Sequence, residues 1–362
     1  MVKTLILIIF ILLKFLIIIV PALISVAYLT LIERKILSAI QIRRGPNVVG
    51  YGLLQPLADG LKFFLKETII PIKSNKGLFF FAPLLFLVLS FCSWSVIPFD
   101  SVSLVNSNLG ILFYLALSSL SVYGIILAGW SSNSRYAFLG SLRSAAQMIS
   151  YEVVLGLLIL TVAALSQSFN LRELVVNQNL CFYFFALIPI FLIYFVAVLA
   201  ETNRTPFDLP EAEAELVAGY NVEYASIPFA FYFIAEYCNM ILWSDLTIYL
   251  FFGGWGNLYF FKLIAMLILF SWVRATLPRY RWDQLMVLTW RIFLPLVLCS
   301  VTLLFLVINY SLSSDIYYAT SIPPELEEQF RMMYMMYGAE THTDYETLLA
   351  IYELLLKSRG LI

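Results

Sequence analysis

Long apolar runs set the limits on this chain. Stretches of about 20 predominantly apolar residues, enough to cross a hydrocarbon core as helix, recur through the first 310 positions. Of the 362 residues, 62% are hydrophobic and 12% charged, a balance that a water-soluble domain does not sustain. Inside a bilayer each backbone polar group needs a partner from the chain itself, so continuous apolar runs demand helices. Barrel strands would alternate in polarity, and these runs do not. The expected fold class is an all-α polytopic membrane protein with about eight transmembrane helices, an interfacial amphipathic helix and a charged loop on the matrix or cytoplasmic side.

The eight spans are read at 4–32, 78–98, 109–130, 145–166, 180–200, 225–245, 258–275 and 289–310. The first is longer than a perpendicular crossing of about 30 Å needs, so it should tilt or project. Its lone early lysine, Lys3, precedes an apolar run without a small-residue cleavage site, which reads as a retained first helix. Loop charges set the orientation. Arg34, Lys35, Arg43, Arg44, Lys62, Lys66, Lys73, Lys76, Arg135, Arg143, Arg204, Arg274, Arg279 and Arg281 fall on one side, against Arg172 on the other. The positive-inside rule puts the first side in the matrix or cytoplasm and, with an even span count, both termini opposite it.

Residues 53–67 place Leu57, Leu61, Phe64 and Leu65 on one helical face, away from Asp59, Lys62 and Lys66. That pattern fits a helix lying in the membrane interface; a packed loop helix would show it too. The chain divides in character near 310: residues 1–310 form the eight-helix membrane domain. Residues 311–362 form a peripheral C-terminal extension suited to docking on another subunit, with two helices expected near 325–337 and 343–358.

Between Ala200 and Tyr224 lie six carboxylates and one arginine. Asp208 and Glu211 have the form of an N-cap and an N3 acid around Pro210, which accounts for those two by helix initiation. Glu201, Glu213, Glu215 and Glu223 have no such local reason. A solvated acidic loop would also contain them. Acids this close in a low-dielectric setting repel, so some should hold protons near neutral pH and be able to load and release them. The small residues around them (Ala212, Ala214, Ala218, Gly219) favour close packing over free solvation. Glu152 and Glu236 fall inside spans, where an unpaired carboxylate is costly. Each is expected to face the bundle interior or a water-filled cavity, either as part of a lateral proton path or as a polar tie to Ser150, Tyr151 or Asn239.

Other chemistries find little support. The net charge of −1 and the absence of a basic tract argue against nucleic acid. Cys92, Cys181, Cys238 and Cys299 are far apart, and the only histidine is His342, so zinc, iron–sulfur and haem sites in this chain are not expected. Gly253-Gly254-Trp255-Gly256 lacks the strand–turn–helix context of a dinucleotide loop.

Two long segments carry a resemblance: LIERKILSAIQIRRGPNVVGYGLLQPLADGLKFFLKE (31–67) and AETNRTPFDLPEAEAELVAGYNVEY (200–224). Tyr232–Glu236, LPRYRWDQLM (277–286) and FLPL (293–296) join them. Over roughly 1–310 the chain resembles the quinone-site membrane subunit of respiratory complex I, the subunit 1 family of NADH dehydrogenase. The resemblance implies a heel subunit that borders a ubiquinone tunnel and couples quinone reduction to proton pumping. It also implies FMN and iron–sulfur clusters in partner subunits, contacts with quinone-site peripheral-arm subunits and small membrane subunits, and residence in the mitochondrial inner membrane or a bacterial plasma membrane. Tunnel and loop positions would be Arg34, Arg43, Asp59, Glu67, Arg274 and Arg279; the coupling chain would be Glu152, Glu201, Glu211, Glu213, Glu215, Glu223 and Glu236. Two other readings share these features: the membrane anchor of a related hydrogenase complex, and a stand-alone ion transporter, which would usually show paired repeats.

Overall fold

The computed structural model describes residues 2–98, 107–178, 181–208, 219–256 and 258–320, with side chains described between 14 and 310. Within them every regular element is helical. In chain order these are α1 (Val2–Ile40), α2 (Gln55–Leu65), α3 (Lys76–Ser93), α4 (Gly110–Ser132), α5 (Arg135–Ser166), α6 (Leu171–Asn177) and the turn α7 (Tyr183–Ala186). After them come α8 (Ile188–Glu201), α9 (Ile227–Phe251), α10 (Tyr259–Thr276), α11 (Trp282–Val287) and α12 (Leu294–Thr320). The chain divides into two compact units, Met1–Leu303 and Leu304–Ile362. The tail helices expected near 325–337 and 343–358 lie outside the described residues.

Among the described residues six helices are long and apolar enough to cross a membrane: Lys14–Ile40, Lys76–Val96, Gly110–Ser132, Arg135–Ser166, Tyr259–Thr276 and Trp282–Tyr310. Two of the eight expected spans are of another kind. Ile188–Glu201 is apolar but has 14 residues, about 21 Å at the usual rise. Ile227–Phe251 has the length, at 25 residues, and carries Glu236, Asn239 and Asp245. The first helix is longer than expected: α1 covers 39 residues, about 58 Å, and so carries Glu33, Arg34 and Lys35 beyond any perpendicular crossing.

In sequence order α3 packs on α4 and α4 on α5, the latter pair joined by a tight turn at Asn133, and α9 lies against α1, α2, α3 and α10. It is the central helix: every residue from Met240 to Phe251 is buried. Helices in a bilayer gain little from hydrophobic transfer, so they close through small residues. At Gly129 on α4, an added Cβ would collide with Ser141 Oγ on α5. The segment after the acidic stretch returns into this packing: Tyr224 stacks on Phe79 at 4.1 Å, and Tyr232 Oη donates to the Gly124 carbonyl at 3.2 Å.

Proline sits in the first turn of three helices, at Pro56 in α2, Pro189 in α8 and Pro228 in α9, where its missing N–H costs nothing. The Leu57, Leu61, Phe64 and Leu65 side chains of α2 are all exposed, as a helix resting in the membrane interface requires. The glycines set aside as a nucleotide loop end α9 instead. Gly253 and Gly254 have φ of 77° and 60°, and the Gly254 amide donates back to Ile248 O at 3.0 Å.

Candidate functional site

At the end of α1, three charged residues follow one another, and successive helical positions turn by about 100°. Arg34 therefore faces outward while Glu33 turns inward and is only 4% exposed. Tyr237 of α9 donates to Glu33 Oε2 at 2.6 Å. Arg274 of α10 bonds Glu33 Oε1, and Arg204, from the loop after α8, lies 3.7 Å from the same oxygen. The Arg204 guanidinium also stands 4.2 Å over the Tyr237 ring. Four residues far apart in sequence thus make one cluster around a buried carboxylate, with the buried Arg204 and the half-buried Arg274 as its two cations. The Arg34–Asp59 pair, at 2.7 Å, is of another kind: its side chains are 53% and 33% exposed. Exposed pairs contribute at most about 1 kcal/mol, whereas removing one partner from a buried pair costs about 3–5 kcal/mol.

Beside the cluster lies a cavity of about 420 Å³ between α1, α2 and α9. Val26, Phe63, Ala230 and Ile234 are among its apolar lining; its polar groups belong to Thr30, Arg34, Asp59 and Tyr237. This volume and composition suit a largely apolar ligand steered by few polar contacts. Tyr237 joins both features, with its ring in the cavity wall and its hydroxyl on Glu33.

Ser226 ties two walls of this cavity together. Its hydroxyl bonds the Phe63 carbonyl at 2.9 Å and the Lys66 carbonyl at 2.6 Å, which α2 leaves open at its C-terminus. To do so it adopts φ 62° and ψ −131°, a region rarely populated outside glycine. Replacing Ser226 by Ala is expected to loosen α2 by about 1–3 kcal/mol. The check is faster amide exchange across Gln55–Leu65 than in the wild type.

The first part of the acidic segment is pinned to the bundle. Gln147 Nε2 donates to the Ala200 carbonyl at 2.9 Å and the Phe207 carbonyl at 2.8 Å. Phe207 stacks on Tyr280 at 5.6 Å, and Asp208, expected to cap a helix, is buried and 3.3 Å from Arg279. Glu201 is 5% exposed, and its Oε2 is buried with no partner. It lines a small cavity of about 20 Å³ with Ser90, Ser93, Ser121, Tyr114 and Asn239. That is room for about one water, and the lining offers the partners a water needs. Glu152 is half-buried and within electrostatic reach of Glu201.

Glu236 accepts from Tyr220 Oη at 2.7 Å, so the acidic segment itself supplies the polar tie looked for at Asn239. Burial first, and then the Glu236 charge, pushes the Tyr220 phenol well above its ordinary value, which keeps it a donor. Glu223 is half-buried. Glu211, Glu213 and Glu215 lie outside the described residues.

The positions expected along the tunnel separate into groups. Arg34 and Asp59 line the large cavity, and Arg274 reaches it through Glu33 and Tyr237. Arg43 is exposed, bonds Gln41 at 2.8 Å and borders a second cavity of about 260 Å³ with Arg34 and Arg44. Glu67 is exposed just beyond α2, and Arg279 is committed to Asp208. Sequence reasoning passed over Glu33, Tyr237, Gln147 and Ser226, and took Arg204 only as a topological charge. Glu33 had a usable signal, an acid at the end of a long apolar run. Among the described residues no group of three or more His, Cys, Asp or Glu side chains could hold a metal ion.

Comparison with known proteins bears on the whole of this arrangement. The family described as NADH dehydrogenase matches residues 13–305. An NADH-quinone oxidoreductase subunit of Rhodospirillum rubrum is 55% identical over 304 residues, 79% of this chain and 90% of that one. NADH-ubiquinone oxidoreductase chain 1 of Cyanidium caldarium is 54% identical over 296 residues, covering 77% and 86%. The Chondrus crispus chain 1 is 53% identical over 309 residues, covering 81% and 95%. With residues 13–305 matched by the family and more than half the aligned positions identical in these relatives, the chain belongs to the NADH dehydrogenase family that includes chain 1 of NADH-ubiquinone oxidoreductase.

Proposed function

We propose that this chain is the membrane subunit of an NADH–quinone oxidoreductase that admits quinone between α1, α2 and α9. One observation carries the reading: the cavity of about 420 Å³ has apolar walls, and its polar Tyr237 is bonded directly to the buried Glu33. An isoprenoid tail suits the Val26, Phe63, Ala230 and Ile234 surfaces, and a quinone carbonyl suits Arg34 or the Tyr237 edge. The redox chemistry, with FMN and iron–sulfur clusters, is assigned to partner subunits of the peripheral arm. Small membrane subunits are assigned to the flank along which the carboxylates lead. The relatives named above support a mitochondrial inner membrane or its bacterial counterpart, and the mitochondrial setting is the one proposed.

Coupling rests on the second feature. A change of charge at the quinone alters the field on Glu33 and its two arginines. Arg204 lies three residues beyond Glu201, the last residue of α8, so a shift in that cluster displaces the helix end that holds Glu201. Glu201, Glu152 and Glu236, with Glu211, Glu213, Glu215 and Glu223, then act as groups that take up and release protons.

The cavity reading has a direct test. Ala230→Trp fills the space between α2 and α9, and is expected to lower quinone reduction by assembled complex at least about tenfold, or roughly 1.4 kcal/mol in the barrier. NADH oxidation by ferricyanide should be kept, because that acceptor does not need the cavity. Unchanged quinone kinetics in the assembled variant would remove the cavity from the quinone path.

A further inference from the structure

Asp245 is used by nothing described so far. It lies in the fully buried half of α9, 0% exposed. Tyr259, the first residue of α10, donates to its Oδ1. Its Oδ2 is buried and has no partner. An interhelical tie accounts for Oδ1 alone, since an alcohol or amide would serve the tyrosine as well. A second, open carboxylate oxygen in a closed core needs another reason.

Depth supplies one. Asp245 stands 18 residues beyond Ile227, about 27 Å along the helix, at the end of the bundle opposite the acidic segment. Glu201 occupies the middle depth, at the end of the short α8 and on the small polar cavity. Between them stands Tyr114, which lines that cavity and packs edge-on against Trp243 at 5.1 Å. The Tyr114 hydroxyl lies within electrostatic reach of Tyr194, Glu201, Cys238 and Asp245. Tyr194 is buried as well, with its hydroxyl beside Thr247 of α9.

We propose that Asp245 is the far-side proton holder of a transverse route through this protein, running from Glu201 through the polar cavity and Tyr114 to the Asp245–Tyr259 pair. This rests on the coupling role given to Glu201 above, and adds an outlet across the membrane to the lateral path. The proton balance is simple. Glu201 gives its proton to a water in the cavity, and that water passes one of its own to Tyr114. Tyr114 takes it on a lone pair and, once its side chain has turned to bring the hydroxyl to Asp245 Oδ2, releases its own hydrogen there. Asp245 then gives the proton to water on the far side and returns to a carboxylate. A proton taken up from the side of the acidic segment then reloads Glu201, so each relay member ends the cycle unchanged and one proton crosses.

The test uses the whole complex in proteoliposomes, with NADH oxidation and proton uptake measured together. Asp245→Asn keeps an acceptor for Tyr259 and loses the proton-holding oxygen. The expected result is a loss of one proton moved per NADH oxidised, with quinone reduction retained. Glu201→Gln is run beside it. If Glu201→Gln is impaired and Asp245→Asn pumps as wild type, the transverse route is wrong and the coupling reading stands. If both pump as wild type, the coupling reading itself fails. Should Asp245→Asn not assemble, Tyr259→Phe serves in its place. The infrared difference between resting and working complex should contain a carboxylic C=O band that this change shifts, and a spectrum unaltered by it overturns the proposal.

Discussion

Glu33→Ala is expected to abolish accumulation of the assembled complex. The substitution leaves Arg204 and Arg274 facing each other without their shared carboxylate, and leaves the Tyr237 hydroxyl without its acceptor. An uncompensated buried charge costs about 3–5 kcal/mol, against a total stability of about 5–15 kcal/mol. Glu33→Gln should be milder, because the amide oxygen still receives Tyr237 or one guanidinium. Adding Arg204→Gln to Glu33→Gln removes one charge of each sign and should recover part of the loss, with a coupling of about 0.5–3 kcal/mol. Asp59→Asn is the contrast, since its pair with Arg34 is largely exposed and contributes at most about 1 kcal/mol. The amount of complex on native gels and its thermal midpoint decide the matter. Wild-type abundance of Glu33→Ala would show that the cluster does not hold the site together.

That cluster marks the limit of what one sequence discloses. Apolar length is a local property, so α4 and α10 can be read within two residues from hydropathy, and α3 can be read at its start. Ends are harder. The fourth span is expected from 145, yet α5 starts at Arg135, because a hydropathy window finds the part that needs lipid rather than the part that is helical. The fifth is expected from 180, yet α8 starts at Ile188, where Pro189 marks the first turn. The acidic segment is legible because its charges are adjacent in the chain. The contacts of Glu33 with residues 204, 237 and 274 are not, because pairing across some 170–240 positions leaves no local trace. The arginines are further masked by topology, since a positive-inside loop contains them whether or not they pair. Asp245 carries the same signal as Glu236, an acid inside an apolar run, and escapes notice at the very edge of its expected span.

Glu201→Gln should separate coupling from assembly. The amide occupies nearly the same volume, and the oxygen it replaces has no partner, so the fold loses no described hydrogen bond at that atom. What disappears is the capacity to take up and release a proton beside the small polar cavity. Complex should therefore accumulate normally and oxidise NADH with ferricyanide at the wild-type rate. Quinone reduction and the proton uptake tied to it should fall together, by at least about tenfold. Wild-type quinone reduction and pumping in the assembled variant would end the proposal. Glu236→Gln should lose less, because Glu236 already has a local role as acceptor for Tyr220, which the amide can continue. Glu67→Gln should lose nothing, since Glu67 is exposed. The order Glu201, Glu236, Glu67 follows from burial and hydrogen-bond satisfaction alone. A path made of interchangeable acids would instead give equal losses at Glu201 and Glu236.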